Sequence, residues 1–209
     1  MRGYSINLNL NGRTVLVVGL GRVGRRKART LREAGARVIG VDPAAGSLDP
    51  DAVSGIELVA ESYSSQHLQG VCLVIAAGPA EINRQVVADA RRMGVWVCSS
   101  SEPEEGDFTV PAVWTSGPLV VAVSTSGASP ALARVLRDQA AAALGPAAAG
   151  LTELLAELRP LVLERLADPL ARRRVFEKWA EPRWLSLWTE QGPDAVRQAL
   201  ERLIEAEDL

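Results

Sequence analysis

The sequence predicts an α/β fold: a Rossmann-like, doubly wound parallel sheet, followed by a small α+β segment and a C-terminal helical domain. Three observations carry this expectation. Apolar, β-branched runs alternate with helix-period stretches through the first half of the chain. The first of these runs enters a glycine turn, and the run after the next helix ends on an acid. Beyond Gly145-Pro146 the strand signal stops, and helical periodicity broken by Pro and Gly takes over.

Residues 4–10 (YSINLNL) alternate in polarity and are expected to form a short strand before an Asn11-Gly12 turn. Thr14 to Val18 is the first strong strand, and it runs into Gly19-Leu20-Gly21-Arg22-Val23-Gly24. A helix follows with Ala28, Leu31 and Ala34 on one face. Gly35 stops it, and Val38 to Val41 leads to Asp42. Strand, glycine turn, helix, strand and acid make up the dinucleotide-binding fingerprint. Gly19 permits the tight turn, Gly21 lets a pyrophosphate approach the backbone, and Gly24 lets the helix pack closely on the strand. The helix start at Arg22 and Val23 offers free N–H groups to phosphate. Asp42 stands where an acid accepts hydrogen bonds from the adenosine ribose, with Pro43 behind it. A carboxylate there repels a 2′-phosphate, so NAD is the expected cofactor rather than NADP.

Asp42 to Gly55 reads as a loop, and Ile56 to Ala60 as a short strand. Val71 to Ala77 (VCLVIAA) is continuously apolar, as a parallel strand buried on both faces should be. Gly78-Pro79 closes it. A helix with Ile82, Val86, Val87 and Ala90 on one face follows, then a strand at Val95 to Cys98. Ligands of such sheets lie beyond the carboxyl ends of the strands. The small residues Ala77 and Gly78 there suit either a plain tight turn or a cofactor lying against the backbone. Ser99 to Asp107 (SSSEPEEGD) is either a solvated acidic loop or the source of proton chemistry, with Glu102, Glu104, Glu105 and Asp107 as candidates.

Phe108 to Trp114 and Leu119 to Val123 read as strands joined by a turn at Ser116-Gly117-Pro118. In Ser124-Thr125-Ser126-Gly127-Ala128-Ser129-Pro130, Ser129 is the expected N-cap and Pro130 the first helical residue. A loop rich in hydroxyls and glycine that feeds a helix start is also a natural anion site. Beyond Gly150, helices are expected at 151–166, 170–179 and 193–206. Trp179, Trp184 and Trp188 are expected as core or interface anchors. Arg172, Arg173 and Arg174 form either a solvated face or a carboxylate-binding cluster.

Composition narrows the function classes. A net charge of −2 gives no global bias toward nucleic acid or membrane. No apolar run reaches membrane-spanning length, and no secretory leader pattern is visible, so a soluble cytoplasmic protein is expected. Cys72 and Cys98 each sit in an apolar run and are expected to be buried and reduced. The single histidine, His67, is expected in an exposed loop, which leaves little room for a His-based metal site or triad. No metal ligands are assigned.

The chain resembles the precorrin-2 dehydrogenase / sirohydrochlorin ferrochelatase family, which includes the N-terminal module of bifunctional siroheme synthases. The glycine turn continuing as Arg25-Arg26-Lys27-Ala28 carries the resemblance, with Glu33-Ala34-Gly35-Ala36 and Ile75-Ala76-Ala77 followed by Asn83. Further on come Asp107-Phe108, Pro111-Ala112, Pro118 to Thr125, Gly127, Ser129-Pro130, Leu132-Ala133-Arg134 and Leu136-Arg137. Arg172-Arg173-Arg174 with Glu177-Lys178-Trp179 is similar to the family's helical tail.

The resemblance implies three parts: an NAD-binding Rossmann domain over 1–112, a dimerisation segment over 113–150 and a helical tetrapyrrole-cleft domain over 151–209. It implies a homodimer that oxidises precorrin-2 to sirohydrochlorin with NAD, and in some members also inserts ferrous iron. It places Ser124, Thr125, Ser126, Gly127, Ser129 and Arg134 at the carboxylate-rich substrate. The family's usual aspartate, two residues before a proline in the loop after the fifth strand, is Ser101 here, beside Glu102. A serine is a poor base at neutral pH without a partner. Glu102 takes over as the acid/base group, or hydride transfer relies on positioning, or activity is reduced. The alternatives to a dehydrogenase are a bifunctional chelatase, a nucleotide-sensing module, and a homologue that binds NAD and tetrapyrrole without turnover.

Overall fold

The computed structural model describes residues 3–208. The chain divides into two compact units between Val110 and Pro111.

The first unit is a parallel sheet of β1 (Thr14–Val18), β2 (Arg37–Val41), β3 (Glu57–Val59), β4 (Leu73–Ala76) and β5 (Trp96–Ser99), in the order β3-β2-β1-β4-β5. Helices α1 (Arg22–Glu33) and α2 (Ala80–Met93) make the crossovers. The two faces of β1 show why the sheet is doubly covered. Leu16 and Val18 belong to one apolar cluster with Val86, Val87 and Ala90 of α2. Val15 and Val17 belong to another with Ala28 of α1. Alternate side chains point to opposite faces, so a helix on each side buries Val15 to Val18. Each fully buried Val or Leu contributes about 1.5–3 kcal/mol. The strand order reverses between β1 and β4, and the crevice at that switch point lies at their carboxyl ends.

The second unit begins with an antiparallel hairpin, β6 (Ala112–Ser116) and β7 (Leu119–Val123). Next comes α3 (Pro130–Arg165), which is two helices end to end: Gly145 at φ 63° and ψ −179° interrupts it. Then follow α4 (Pro169–Trp179), α5 (Arg183–Gln191) and α6 (Pro193–Asp208). Their core gathers Leu154, Leu158 and Val162 of α3, Val175 and Trp179 of α4, Trp184 of α5, and Val196, Leu200 and Ile204 of α6. Trp179 and Trp184 are therefore core anchors, with Trp188 half-buried against the same cluster, and Trp184 Nε1 donates to the Lys178 carbonyl at 2.7 Å. Among the described residues no helix is long and apolar enough to cross a membrane.

Several local expectations need correction. Residues 4–10 form no strand: Tyr4, Ile6 and Leu8 are exposed, and no neighbouring strand supplies a ladder. The Asn11-Gly12 turn is present, closed by the Arg13 amide on the Leu10 carbonyl at 2.9 Å. The strand expected from Phe108 starts only at Ala112, because Phe108 packs into the first unit's core. Ala34 is an exposed cap rather than part of the α1 face. Cys72 is exposed, lying one residue before β4, while Cys98 is buried; both are free thiols. His67 lies in a 3-10 turn, not an open loop: its Nδ1 accepts the Ser64 amide at 3.0 Å and its Nε2 meets Glu61 at 2.7 Å. Helix α5 was not expected, since its nine residues sit between two proline breaks.

Candidate functional site

The glycine turn lies at the switch point. Gly19 has φ +88°, and a Cβ there would come within 2.6 Å of the Gly78 backbone, so the turn abuts the loop after β4. A Cβ on Gly24 would overlap the Gly19 carbonyl oxygen. Both glycines are demanded by the protein's own packing. Gly21 is different: nothing lies within 4 Å of where its Cβ would be. The fold leaves that space open, as the approach of a ligand to the backbone requires.

Gly21 is also the N-cap of α1, and no side chain caps the helix. The first turn carries no acid. The amides of Arg22, Val23 and Gly24 precede the first intrahelical bond, which Arg25 N–H makes to Gly21 at 3.0 Å. Uncapped donors and the positive end of the helix dipole converge beside an open space, which is the chemistry that holds a pyrophosphate.

Asp42 ends β2 and points back at the turn. Its Oδ2 accepts the Leu20 amide at 2.7 Å, and its Oδ1 accepts the Ala44 amide at 2.8 Å. Each carboxylate oxygen has a further lone pair, so the acid is fixed in place and still able to accept from ribose hydroxyls. Pro43 is exposed on the outer rim. The residues present fit a dinucleotide.

Ala77, Gly78 and the loop after β5 come together through a residue that sequence reasoning did not place in the site. Asn83 of α2 is 1% exposed. Its Oδ1 accepts the Gly78 amide at 2.9 Å, and its Nδ2 donates to the Gly78 carbonyl and to Ser101 Oγ, both at 3.0 Å. Ser99 Oγ accepts the Glu102 amide at 3.2 Å and stands 3.4 Å from Ser101 Oγ. The Glu102 carboxylate meets Arg84 Nε at 3.3 Å. The Glu105 carboxyl is held above its ordinary range, chiefly by its hydrogen bond to Glu102. Of the other acids, Asp107 is structural, accepting the Val97 amide at 2.9 Å to close the loop.

In the second unit the expected substrate contacts are bound up in local structure. Ser129 caps α3 by accepting the Leu132 amide at 3.1 Å. Thr125 Oγ1 accepts the Ser129 amide and donates to its carbonyl, both at 3.0 Å. Ser124 Oγ accepts the Ser126 amide at 3.1 Å, and Ser126 and Gly127 both take positive φ. Arg134 is exposed. The arginine cluster is engaged within the protein: Arg172 donates to the carbonyls of Leu166 and Leu163 at the end of α3. Arg173 pairs with Glu177 and Arg174 with Glu207, each at 2.7 Å. A cavity of about 300 Å³ in this unit is lined by Leu119, Leu144, Leu151, Leu155, Trp179 and Leu185 among others, and is too apolar for a polyanion. The convergent polar groups lie instead at the switch point of the first unit.

Three family models match the chain in succession: "Putative NAD(P)-binding" over residues 6–112, "Sirohaem biosynthesis protein central" over 116–140, and "Sirohaem synthase dimerisation region" over 147–204. The siroheme synthase of Tolumonas auensis is 33% identical over 201 residues, which cover 95% of this chain and 43% of that protein. That of Stutzerimonas stutzeri is 38% identical over 207 residues, covering 96% and 42%. The chain thus spans less than half the length of these relatives. The solved structure "SirC, precorrin-2 dehydrogenase" superposes with a TM-score of 0.73 at 21% identity, covering 98% of this chain and 100% of that one, and shares its fold.

Proposed function

The chain belongs to the siroheme synthase family, with its NAD(P)-binding, central and dimerisation regions in that order, and from that premise we propose that it oxidises precorrin-2 to sirohydrochlorin with NAD. The observation that carries this is the glycine turn: Gly19 and Gly24 are filled by their own neighbours, whereas Gly21 faces open space beside an uncapped helix start.

NAD, when bound, would supply the acceptor for the hydride that the macrocycle loses together with a proton. The chain supplies binding and orientation. The first amides of α1 hold the pyrophosphate, and Asp42 fixes the adenosine ribose. A 2′-phosphate would lie against the Asp42 carboxylate, and that repulsion selects NAD over NADP. Ala77 and Gly78, at the end of β4, would leave room for the nicotinamide half against the backbone. Glu102 stands in the loop after β5 as the acid/base candidate, with Ser101 beside it, and its side chain meets Arg84 Nε at 3.3 Å. For the tetrapyrrole's carboxylates the second unit offers the exposed Arg134 guanidinium and whatever capacity the Ser124–Ser129 loop keeps beyond its own hydrogen bonds. Ferrous iron, where a family member takes it up, is a second substrate rather than a resident cofactor.

The second unit supports a homodimer. Val113 and Val120 lie on the outward face of the hairpin, and Leu132, Val135 and Leu136 are exposed on α3. The two free thiols suit the reducing cytoplasm.

The test is NADH formation at 340 nm from enzymatically generated precorrin-2 and NAD. Steady formation is expected, and Gly21→Asp should abolish it while leaving the fold intact, because its side chain enters open space as an anion. Tetrapyrrole binding without NADH would refute turnover and leave a carrier.

A further inference from the structure

We infer that Ser101 serves the site as a hydrogen-bond donor, not as a base, and that Asn83 is the positioning residue that makes it one; this rests on the dehydrogenase reading above. The Gly78 backbone fixes the orientation of the Asn83 amide. Its N–H can only donate and its carbonyl can only accept, and both pair with the Asn83 amide, at 2.9 and 3.0 Å. The orientation of that amide is therefore dictated, and the group left facing Ser101 is an N–H. Ser101 Oγ must accept it, at 3.0 Å.

Ser99 is placed to take the second lone pair. Its side chain is buried, and its oxygen already accepts the Glu102 amide. A buried hydroxyl needs an acceptor for its own hydrogen, and Ser101 Oγ at 3.4 Å is the neighbour that can take it. With both lone pairs engaged, the Ser101 hydroxyl retains its hydrogen. Unlike Ser99 and Asn83, Ser101 is exposed, at the carboxyl edge of the sheet where ligands of this fold lie. A base must present a lone pair, and Ser101 presents a proton. Its partner is an acceptor oxygen of the reactants: the carboxamide oxygen of the nicotinamide or a carboxylate oxygen of the tetrapyrrole.

The full-length protein provides the test. Three quantities are measured in Ser101→Ala: turnover of precorrin-2 with NAD, NADH affinity by fluorescence titration, and sirohydrochlorin affinity by absorbance titration. Loss of one hydrogen bond should lower at least one of them roughly three- to tenfold, and Ser101→Thr, which keeps the hydroxyl, should recover most of it. A loss confined to NADH affinity identifies the carboxamide; one confined to sirohydrochlorin identifies the carboxylate. The pH profile of Ser101→Ala should keep its shape, because a donor hydroxyl does not titrate. Asn83→Asp should produce the same loss and add none in the Ser101→Ala background. If Asn83→Asp fails to fold, the two Ser101 variants still decide. Unchanged turnover and affinities in Ser101→Ala, or disappearance of a basic limb from its pH profile, would overturn the inference. If the wild type yields no NADH, the dehydrogenase reading falls by itself, and the two binding titrations judge Ser101 alone.

Discussion

Strands β4 (LVIA) and β7 (LVVAV) have nearly the same composition and opposite fates. All of β4 is buried, flanked by β1 and β5 and covered on both faces. No residue of β7 is buried: its side chains alternate between half-covered against α3 and exposed. Hydropathy alone does not bury a strand; the number of neighbours does. A parallel strand reached by crossover helices receives a cover on each face, whereas a hairpin backed by one helix keeps an apolar face and two open edges. The central strands of the first unit thus have their apolar faces closed, and the unmet demands at their carboxyl ends are polar, namely free amides and an unfilled glycine. The second unit's unmet demand is apolar. The former suits a small anionic ligand and the latter a protein surface.

The first unit tolerates added volume least. Gly24→Val drives a side chain into the Gly19 carbonyl and should cost about 3 kcal/mol, with NADH binding lost. Denaturant unfolding beside an NADH titration checks this, and wild-type stability would show that the close packing is not real. The next effect belongs to the second unit. Val120→Glu puts a carboxylate on the outward hairpin face; sedimentation velocity should show the dimer weakened at least tenfold, since an interface penalises an unpaired buried charge, while NADH affinity stays unchanged. An unaltered dimer would place the interface elsewhere. The smallest effect concerns the thiols. Iodoacetamide should label Cys72 at least tenfold faster than Cys98 in the folded protein, and both equally in urea. Burial pushes the Cys98 thiol up, partly offset by the Lys27 ammonium, so its thiolate is scarce at pH 8 and its labelling should rise only at higher pH. Equal rates at pH 8 would mean that β5 opens readily.

What the sequence disclosed follows the same division. The five parallel strands and the fingerprint were legible because each signal is local: an apolar run, a glycine spacing, an acid at a fixed distance. Residues 4–10 misled because alternation describes half of a pairing, and the other half is missing. Arg172 reads from sequence as a solvated face or a carboxylate binder, yet it serves carbonyls at the end of α3. Asp107 reads as part of a solvated acidic loop or as a candidate for proton chemistry, yet it holds a backbone amide. Asn83 could be quoted as part of a pattern but not given a task, because its partners, Gly78 and Ser101, sit on two different loops. Polar side chains are assigned by tertiary geometry, and that is what a linear reading lacks.

The two amides that Asp42 accepts have a consequence for protein engineering. The same carboxylate that would discriminate between dinucleotides also braces the turn at Leu20 and the chain at Ala44. Selectivity and loop shape are thus written into one side chain. Replacing Asp42 with a small neutral residue to admit a phosphorylated ribose would also release the turn, so such a redesign has to provide a new acceptor for the Leu20 amide in the same step.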